Sequence, residues 1–334
     1  MHPFSFVEAE TAEQALNAIG ANAQAAFFAG GTTLIDLMKL DVLQPAELVD
    51  INRLPFASIE ADAAGITIGA NVRNSDLAHD SLIRESFPVL SEALLAGASA
   101  QLRNMASTAG NLMQRTRCAY FRDVNSSCNR RQPGSGCDAL TGYNRGHAIL
   151  GTSDLCIATH PSDMCVALVA LDAVVQTQQR DGDTRTIPLT EFYLLPGETP
   201  ERETALRAGE LITHVHIPNS AVGRRSHYLK VRDRASYEFA LSSAAVALQI
   251  ERGAITEARI AMGGVATVPW RSREAERTLE KKPAVRETFV AAAEAALANA
   301  KPLQHNAFKV QLAKRTLVLA LEELLERRNG NGGE

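Results

Sequence analysis

The chain has 334 residues, 46% of them apolar and 22% charged, with a formal net charge of −4. This is the composition of a soluble globular protein with room for two or three domains, and it gives no general attraction to nucleic acid or an anionic membrane. No stretch approaches the roughly 18 consecutive apolar residues of a membrane span, and the opening "MHPFSFVEAETAEQAL" lacks the basic and apolar regions of a signal peptide.

In chain order, "TAEQALNAI" reads as a helix, "AAFFAG" as a short buried strand and "TTLIDLMKL" as a helix, followed by the strands "ELVDI" and "GITIGA". "SFPVLSEALLAGA" is helical and apolar-periodic, and leads into "SAQLRNMASTAGNL". About forty irregular residues follow, and a loop of that length inside a domain is usually functional. Regular structure returns with "SDMCVALVALDA", a helix with Ser162 and Asp163 as candidate caps, then the strands "AVVQTQ" and "TRTIPL". "LITHVHIP" places His214 and His216 on one face of a strand, a poor metal site with two ligands only.

A boundary is expected at residues 217–226. Beyond it "HYLKVR", "ALSSAAVALQI" and "ITEARIAMGG" read as a further sheet, and helices near 270–280, 285–299 and 306–327 close the chain. Trp270 is expected to pack at the start of the first of these helices, and the tail "RRNGNGGE" is expected to fray. The expected class is α+β, with domains at 1–55, 56–220 and 221–330.

"FFAGGTTLIDLM" runs from a strand through Gly30-Gly31 into a helix opened by Thr32 and Thr33. Glycines let backbone approach a ligand closely, and exposed N–H groups at a helix start suit a phosphate. A second segment of this kind, "ASTAGNL", allows both turns to converge on one diphosphate. Neither matches the dinucleotide fingerprint of a Rossmann fold.

The long loop holds Cys118, Cys128, Cys137 and Cys156, separated by nine, eight and eighteen residues, among Arg115, Arg117, Arg122, Arg130, Arg131 and Arg145. No C-x-x-C pair is present, so the spacing matches neither a common zinc ribbon nor a ferredoxin run. A zinc loop and four unconnected thiols both stay open on spacing alone. The surroundings favour an iron–sulfur cluster: arginines and backbone N–H groups offset the negative charge of four thiolates, and Gly134 and Gly136 let backbone wrap closely. Cys165, on an apolar helix face, reads as a buried free thiol. His147 and His160 are outside candidates for a ligand, and four cysteines make them unnecessary.

"AGGTTLIDLMK", "QLRNMASTAGNL", "HPSDM", "ETALRAGELITHVHIP" and "YLKVRDRASYEFALSSAAVAL" together resemble the FAD-binding subunits of the xanthine dehydrogenase family of molybdenum hydroxylases. Among them the resemblance is greatest to those of periplasmic aldehyde oxidoreductases, and it spans nearly the whole chain. It implies a vanillyl-alcohol-oxidase-type fold: two α/β lobes holding FAD, then a C-terminal sheet-and-helix domain of the CO-dehydrogenase flavoprotein type. It also implies that Phe28, Ala29, Gly30, Gly31, Thr32, Thr33 and Leu34 wrap the diphosphate, with Thr108, Gly110 and Asn111 as the second turn. By the same resemblance His160, Ser162 and Asp163 hold the far part of the dinucleotide, and Lys230 faces the flavin. Many relatives carry Gly-Gly where this chain has Ala109-Gly110.

Some family members hold a [4Fe–4S] cluster in an insertion at this place, which implies Cys118, Cys128, Cys137 and Cys156 as its ligands. The implied partners are a large subunit with a molybdenum cofactor, which oxidises an aldehyde to a carboxylic acid, and a small subunit with [2Fe–2S] clusters. Together they make a heterotrimer or a dimer of it. Electrons then reach FAD here and leave to an external acceptor. A purine, N-heterocycle or aromatic acyl-CoA substrate is the alternative within the family, and a zinc-stapled scaffold without flavin the alternative outside it. The implied location is the periplasm, by co-export with a signal-bearing partner; the alternative is the cytoplasm.

Overall fold

Three sheets, each built from its own stretch of chain, organise the fold. The computed structural model describes residues 1–330, and the expected frayed tail lies, from residue 331 on, outside the described residues. The first sheet comprises β1 (Ser5–Glu8), β2 (Ala25–Phe28) and β3 (Glu47–Asp50), parallel in the order β1-β3-β2. Parallel strands need crossovers, supplied by α1 (Ala12–Ala21) and α2 (Leu34–Lys39). Thr11 caps α1 by accepting from Gln14 N at 3.2 Å. Ala15 and Leu16 then meet Val49 and Ile51 in a small core of their own. The sequence reading missed β1: all four of its residues are exposed at a sheet edge, so they show no buried face.

The second sheet is antiparallel, in the order β4-β5-β8-β6-β7. Its strands are β4 (Ile59–Ala61), β5 (Gly65–Gly69), β6 (Val174–Gln178), β7 (Thr184–Pro188) and β8 (Leu211–Pro218). Between β5 and β6 run α3 (Asn74–His79), α4 (Ser81–Ser86), α5 (Pro88–Ala96), α6 (Ala100–Met105), α7 (Thr108–Leu112), α8 (Ala119–Arg122) and α9 (Asp163–Ala170), and α10 (Leu189–Phe192) follows β7. His216 bonds Thr67 across this sheet at 3.0 Å and His214 packs on Phe56, so the two histidines serve the sheet.

Every residue of α9 is buried. A helix apolar on all sides must be covered on all sides, and α9 lies between α5 and the third sheet. That sheet is antiparallel, in the order β12-β11-β10-β9: β9 (Ser226–Val231), β10 (Ser242–Glu251), β11 (Ala254–Gly263) and β12 (Trp270–Arg271). Val246, Leu248, Ile260 and Met262 form one core with Leu279, Phe289, Leu317 and Leu321 from α11 (Arg273–Leu279), α12 (Arg286–Ala296) and α13 (Phe308–Gly330).

The cysteine loop departs from expectation in two ways. It carries α8 and the backbone bridges Cys128–Cys137 and Ser153–Cys156, so it is folded rather than structureless. Its returning limb also leaves the second lobe: Ile149 and Leu150 are buried in the third-sheet core, and both N–H groups donate to Val265 O, at 2.8 and 3.1 Å. Two large apolar side chains at the end of a polar loop need a core, and the C-terminal one is within reach.

Candidate functional site

The two glycine turns lie back to back. A Cβ on Gly30 would stand 2.0 Å from the Met105 carbonyl oxygen and 2.7 Å from its carbon, so glycine is what lets these backbones approach. Arg73 ties them: Nη1 donates to Met105 O at 2.6 Å and Nη2 to Asn52 Oδ1 at 2.9 Å, while Asn52 Nδ2 donates to Ala29 O at 3.2 Å. Gly31 turns with φ +68°, a conformation glycine adopts without penalty.

A cavity opens on each side of this junction. One, of about 280 Å³, has apolar walls of Phe27, Leu43, Ile51, Leu206, Leu211 and Ile212, and Ala29–Leu34, Ser107 and Gly110 also line it. The other, of about 580 Å³, is polar and charged, with Thr32, Thr33, Asp36, Gly110, Asn111, Asp163 and Lys230 facing Arg103, Arg117, Arg234, Tyr237 and Phe239. α2 opens at Thr33 with no side-chain cap.

Asp163 and Lys230, assigned to opposite ends of the ligand from the sequence, line the same cavity and form an ion pair at 2.7 Å. The other Asp163 oxygen accepts from the Tyr228 hydroxyl at 2.6 Å. Burial and then the Asp163 charge hold that phenol well above its usual pKa.

Four expected contacts face elsewhere. The Phe28 ring backs Gly31 and meets Phe6 edge-on at 5.8 Å; strand alternation gives the cavity its neighbour Phe27 instead. Thr108 is fully buried and donates to Val72 O at 3.0 Å, which holds the second turn onto the segment that follows β5. Ser162 caps α9 through Cys165 N and donates to Asn111 Oδ1 at 2.6 Å, so it positions a lining residue. His160 lies outside both cavities, its ring 4.4 Å from Tyr193, and burial and then Arg130 push its pKa down to about 3.

Cys118, Cys128, Cys137 and Cys156 all line one small void of about 10 Å³, together with Phe121, Asn129 and Arg130. Bonds from thiolate to metal, about 2.3 Å for zinc, run far inside van der Waals contact, so a thiolate site of metal dimensions reads as a water-sized void. Among the described residues no group of three or more His, Cys, Asp or Glu side chains is already arranged around a metal ion's position. Burial pushes the Cys118 thiol up to about 12, and burial and then Cys156 raise Cys137. Arg130 is buried, bonds Cys156 and has Nε without a protein partner. Cys165 lies apart, 3.0 Å from the Tyr193 hydroxyl, and burial pushes it to about 12.

The loop arginines are tethers rather than a docking face. Arg115 and Arg130 both bind Glu203; Arg117 and Arg122 both bind Asp36, at 2.9 and 2.7 Å. Arg131 donates to the Tyr120, Phe121 and Ser126 carbonyls, and Arg145 pairs with Asp233 at 3.1 Å. Arg117 also lines the polar cavity while its neighbour Cys118 lines the cysteine void, so one peptide unit separates the two sites.

Residues 2–220 match the family model described as the FAD binding domain in molybdopterin dehydrogenase, and residues 226–324 that of the CO dehydrogenase flavoprotein C-terminal domain. The chain is 50% identical to the aldehyde oxidoreductase FAD-binding subunit PaoB of Escherichia coli (strain K12), over 97% of this chain and 98% of that one. It is 27% identical to the glyceraldehyde dehydrogenase medium chain of Sulfolobus acidocaldarius, over 84% of this chain and 82% of that one. A chain of a carbon monoxide dehydrogenase from Hydrogenophaga pseudoflava has the same fold, with TM-score 0.76 and 24% identity over 98% of each chain. The expected α+β architecture of FAD-binding lobes plus flavoprotein C-terminal domain holds.

Proposed function

The chain belongs to the FAD-binding subunits of the molybdenum hydroxylase family, and on that premise we propose that it is the FAD- and [4Fe–4S]-carrying electron-transfer subunit of an aldehyde oxidoreductase. The observation that carries this is the junction of two glycine turns between two cavities, one peptide unit from a void lined by four cysteines.

FAD fits the first part. The apolar cavity suits an adenine ring, the backbone of Ala29–Leu34 and Gly110 suits the diphosphate, and the larger polar cavity with Asn111, Asp163 and Lys230 suits the isoalloxazine. FAD, when bound there, supplies a two-electron carrier able to exchange electrons singly or in pairs. The protein's part is to hold it: Lys230 keeps Asp163 fixed, Ser162 fixes Asn111, and Arg73 and Asn52 keep the turns together.

A [4Fe–4S] cluster fits the second part. Four thiols around one void and a buried Arg130 with an unused donor suit an anionic cluster. Such a cluster supplies a one-electron carrier. Aldehyde oxidation is assigned to a molybdenum-bearing large subunit and relay to a [2Fe–2S] small subunit, in a heterotrimer or a dimer of it. An external acceptor takes the electrons. The aldehyde rests on the 50% identical relative; co-export to the periplasm rests on the sequence resemblance.

The test is anaerobic purification and reconstitution, with FAD, iron, sulfide and zinc assayed per chain and the visible spectrum recorded for wild type and Cys128→Ser. One FAD and about four iron per chain, with iron lost and FAD kept in the variant, is the expected outcome. Flavin without iron would reduce the loop to structure, and a colourless zinc protein would sink the whole reading. Reduction of the flavin by an aldehyde, after co-expression with the large and small subunits, tests the substrate.

A further inference from the structure

Of the two histidines considered as outside ligands, one touches a proposed ligand. His147 Nε2 lies 3.1 Å from Cys118 Sγ, while its Nδ1 is buried without a partner. The ring is buried against Tyr120. Resting on the cluster reading above, we infer that His147 is the hydrogen-bond donor to the Cys118 thiolate, and that the C-terminal domain positions it there.

A thiolate only accepts hydrogen bonds, so His147 faces it with Nε2–H. Its backbone is held from the far side of the fold. The His147 carbonyl accepts from Lys309 Nζ at 3.1 Å and from Asn306 Nδ2 at 3.4 Å. Lys309 Nζ also donates to Gly146 O at 2.9 Å and Gly264 O at 2.7 Å. Three carbonyls match the three N–H groups that only the charged amine has. Lys309 is wholly buried, and an ammonium so placed is costly unless every proton is bonded. It joins residues 146–147 of the cysteine loop to the turn after β11. Asn144 adds a second stitch, accepting from His305 N at 3.1 Å. The donor to Cys118 is thus set by residues 305–309, which the expected domain boundaries put in a different domain from the cysteines.

A hydrogen bond to a ligand sulfur withdraws electron density and raises a cluster's reduction potential. The experiment compares reconstituted full-length wild type, His147→Leu and His147→Gln by potentiometric titration of the cluster signal, with iron and FAD assayed in each. His147→Leu removes the donor and His147→Gln offers a substitute N–H. The expected result is an unchanged FAD content, with the cluster potential shifted downward in His147→Leu and lying nearer wild type in His147→Gln. Iron lost from His147→Leu but kept in His147→Gln also supports a donor role. A His147→Leu potential equal to wild type overturns the inference, as does equal loss of iron from both variants with FAD retained, which would make His147 a packing residue. A wild-type chain that takes up no iron overturns the cluster reading itself, and this shows before any substitution is made.

Discussion

Gly30→Ala tests whether the meeting of the two glycine turns is what binds FAD. The substitution adds one methyl group at a residue without positive φ, so backbone strain plays no part. The new Cβ would stand 2.0 Å from Met105 O, where real contacts essentially never fall below 3.0 Å, and the turns must part by about 1 Å. The clash is with backbone, and no rotamer change relieves it. Overpacking of this kind costs about 1–3 kcal/mol. At about 1.4 kcal/mol per tenfold in affinity, full expression in binding weakens FAD by about 5- to 150-fold. Titration of flavin-free protein, followed by flavin fluorescence, measures this. Gly146→Ala is the control, since its Cβ would meet nothing within 4 Å and its φ is not positive. A Gly30→Ala protein that binds FAD within twofold of wild type would refute the reasoning.

Lys230→Met leaves Asp163 buried and uncompensated, and breaking a buried pair costs about 3–5 kcal/mol; denaturant unfolding should show a loss of that order, with Lys230→Met/Asp163→Asn recovering part of it. Arg73→Ala removes the tie between Met105 O and Asn52 and should weaken FAD about tenfold while iron content stays unchanged, as read by parallel flavin and iron assays. Cys165→Ala should keep all its iron, because its thiol faces Tyr193 and not the cysteine void; iron loss would mean that the ligand set is misassigned. Glu92 bonds His227 at 2.6 Å, Tyr228 N at 2.8 Å and Arg327. Burial raises its pKa, but these partners together outweigh burial and leave it below the usual carboxylate value. A carboxylate depressed on folding contributes stability above its unfolded pKa and loses it as pH falls through its folded one. Thermal melts should therefore decline with acidification through the carboxylate range, and less steeply in Glu92→Gln.

The glycine turns were legible because their signal is local: a strand, two glycines and hydroxyl residues in sequence. The direction of each side chain was not. Phe28 and Phe27 differ only in strand parity, and one residue's shift exchanges ligand for core. Thr108 and Ser107 have similar side chains, and what separates them is the Val72 carbonyl, 36 positions away in sequence. The walls Leu206, Leu211 and Ile212 and the tie Arg73–Asn52 come from distant segments with no motif of their own. The cysteines stood out by their clustering, yet spacing alone left zinc open. The arginines around them read from the sequence as charge compensation for four thiolates, whereas Glu203 and Asp36, both outside the loop, turn four of them into anchors.

Those anchors explain why a forty-residue insertion can hold a rigid site. Glu203 lies between β7 and β8, Asp36 on α2 of the first sheet, and Lys309 with Asn306 beside the third. Each of the three sheet units thus grips the loop through at least one charged group, mostly at buried or half-buried positions where such bonds are strong. The cost of ordering a long loop, about 1–2 kcal/mol per residue, is offset by tethers that exist only when all three units are assembled. A site built this way depends on the whole chain. The cavities sit between the first and second units, and the cysteine void lies within the loop, which the third unit holds through Lys309 and Asn306. The C-terminal domain, which contributes only Lys230 and the segment around Arg234–Phe239 to the polar cavity, then acts chiefly by fixing the loop that carries the cysteines.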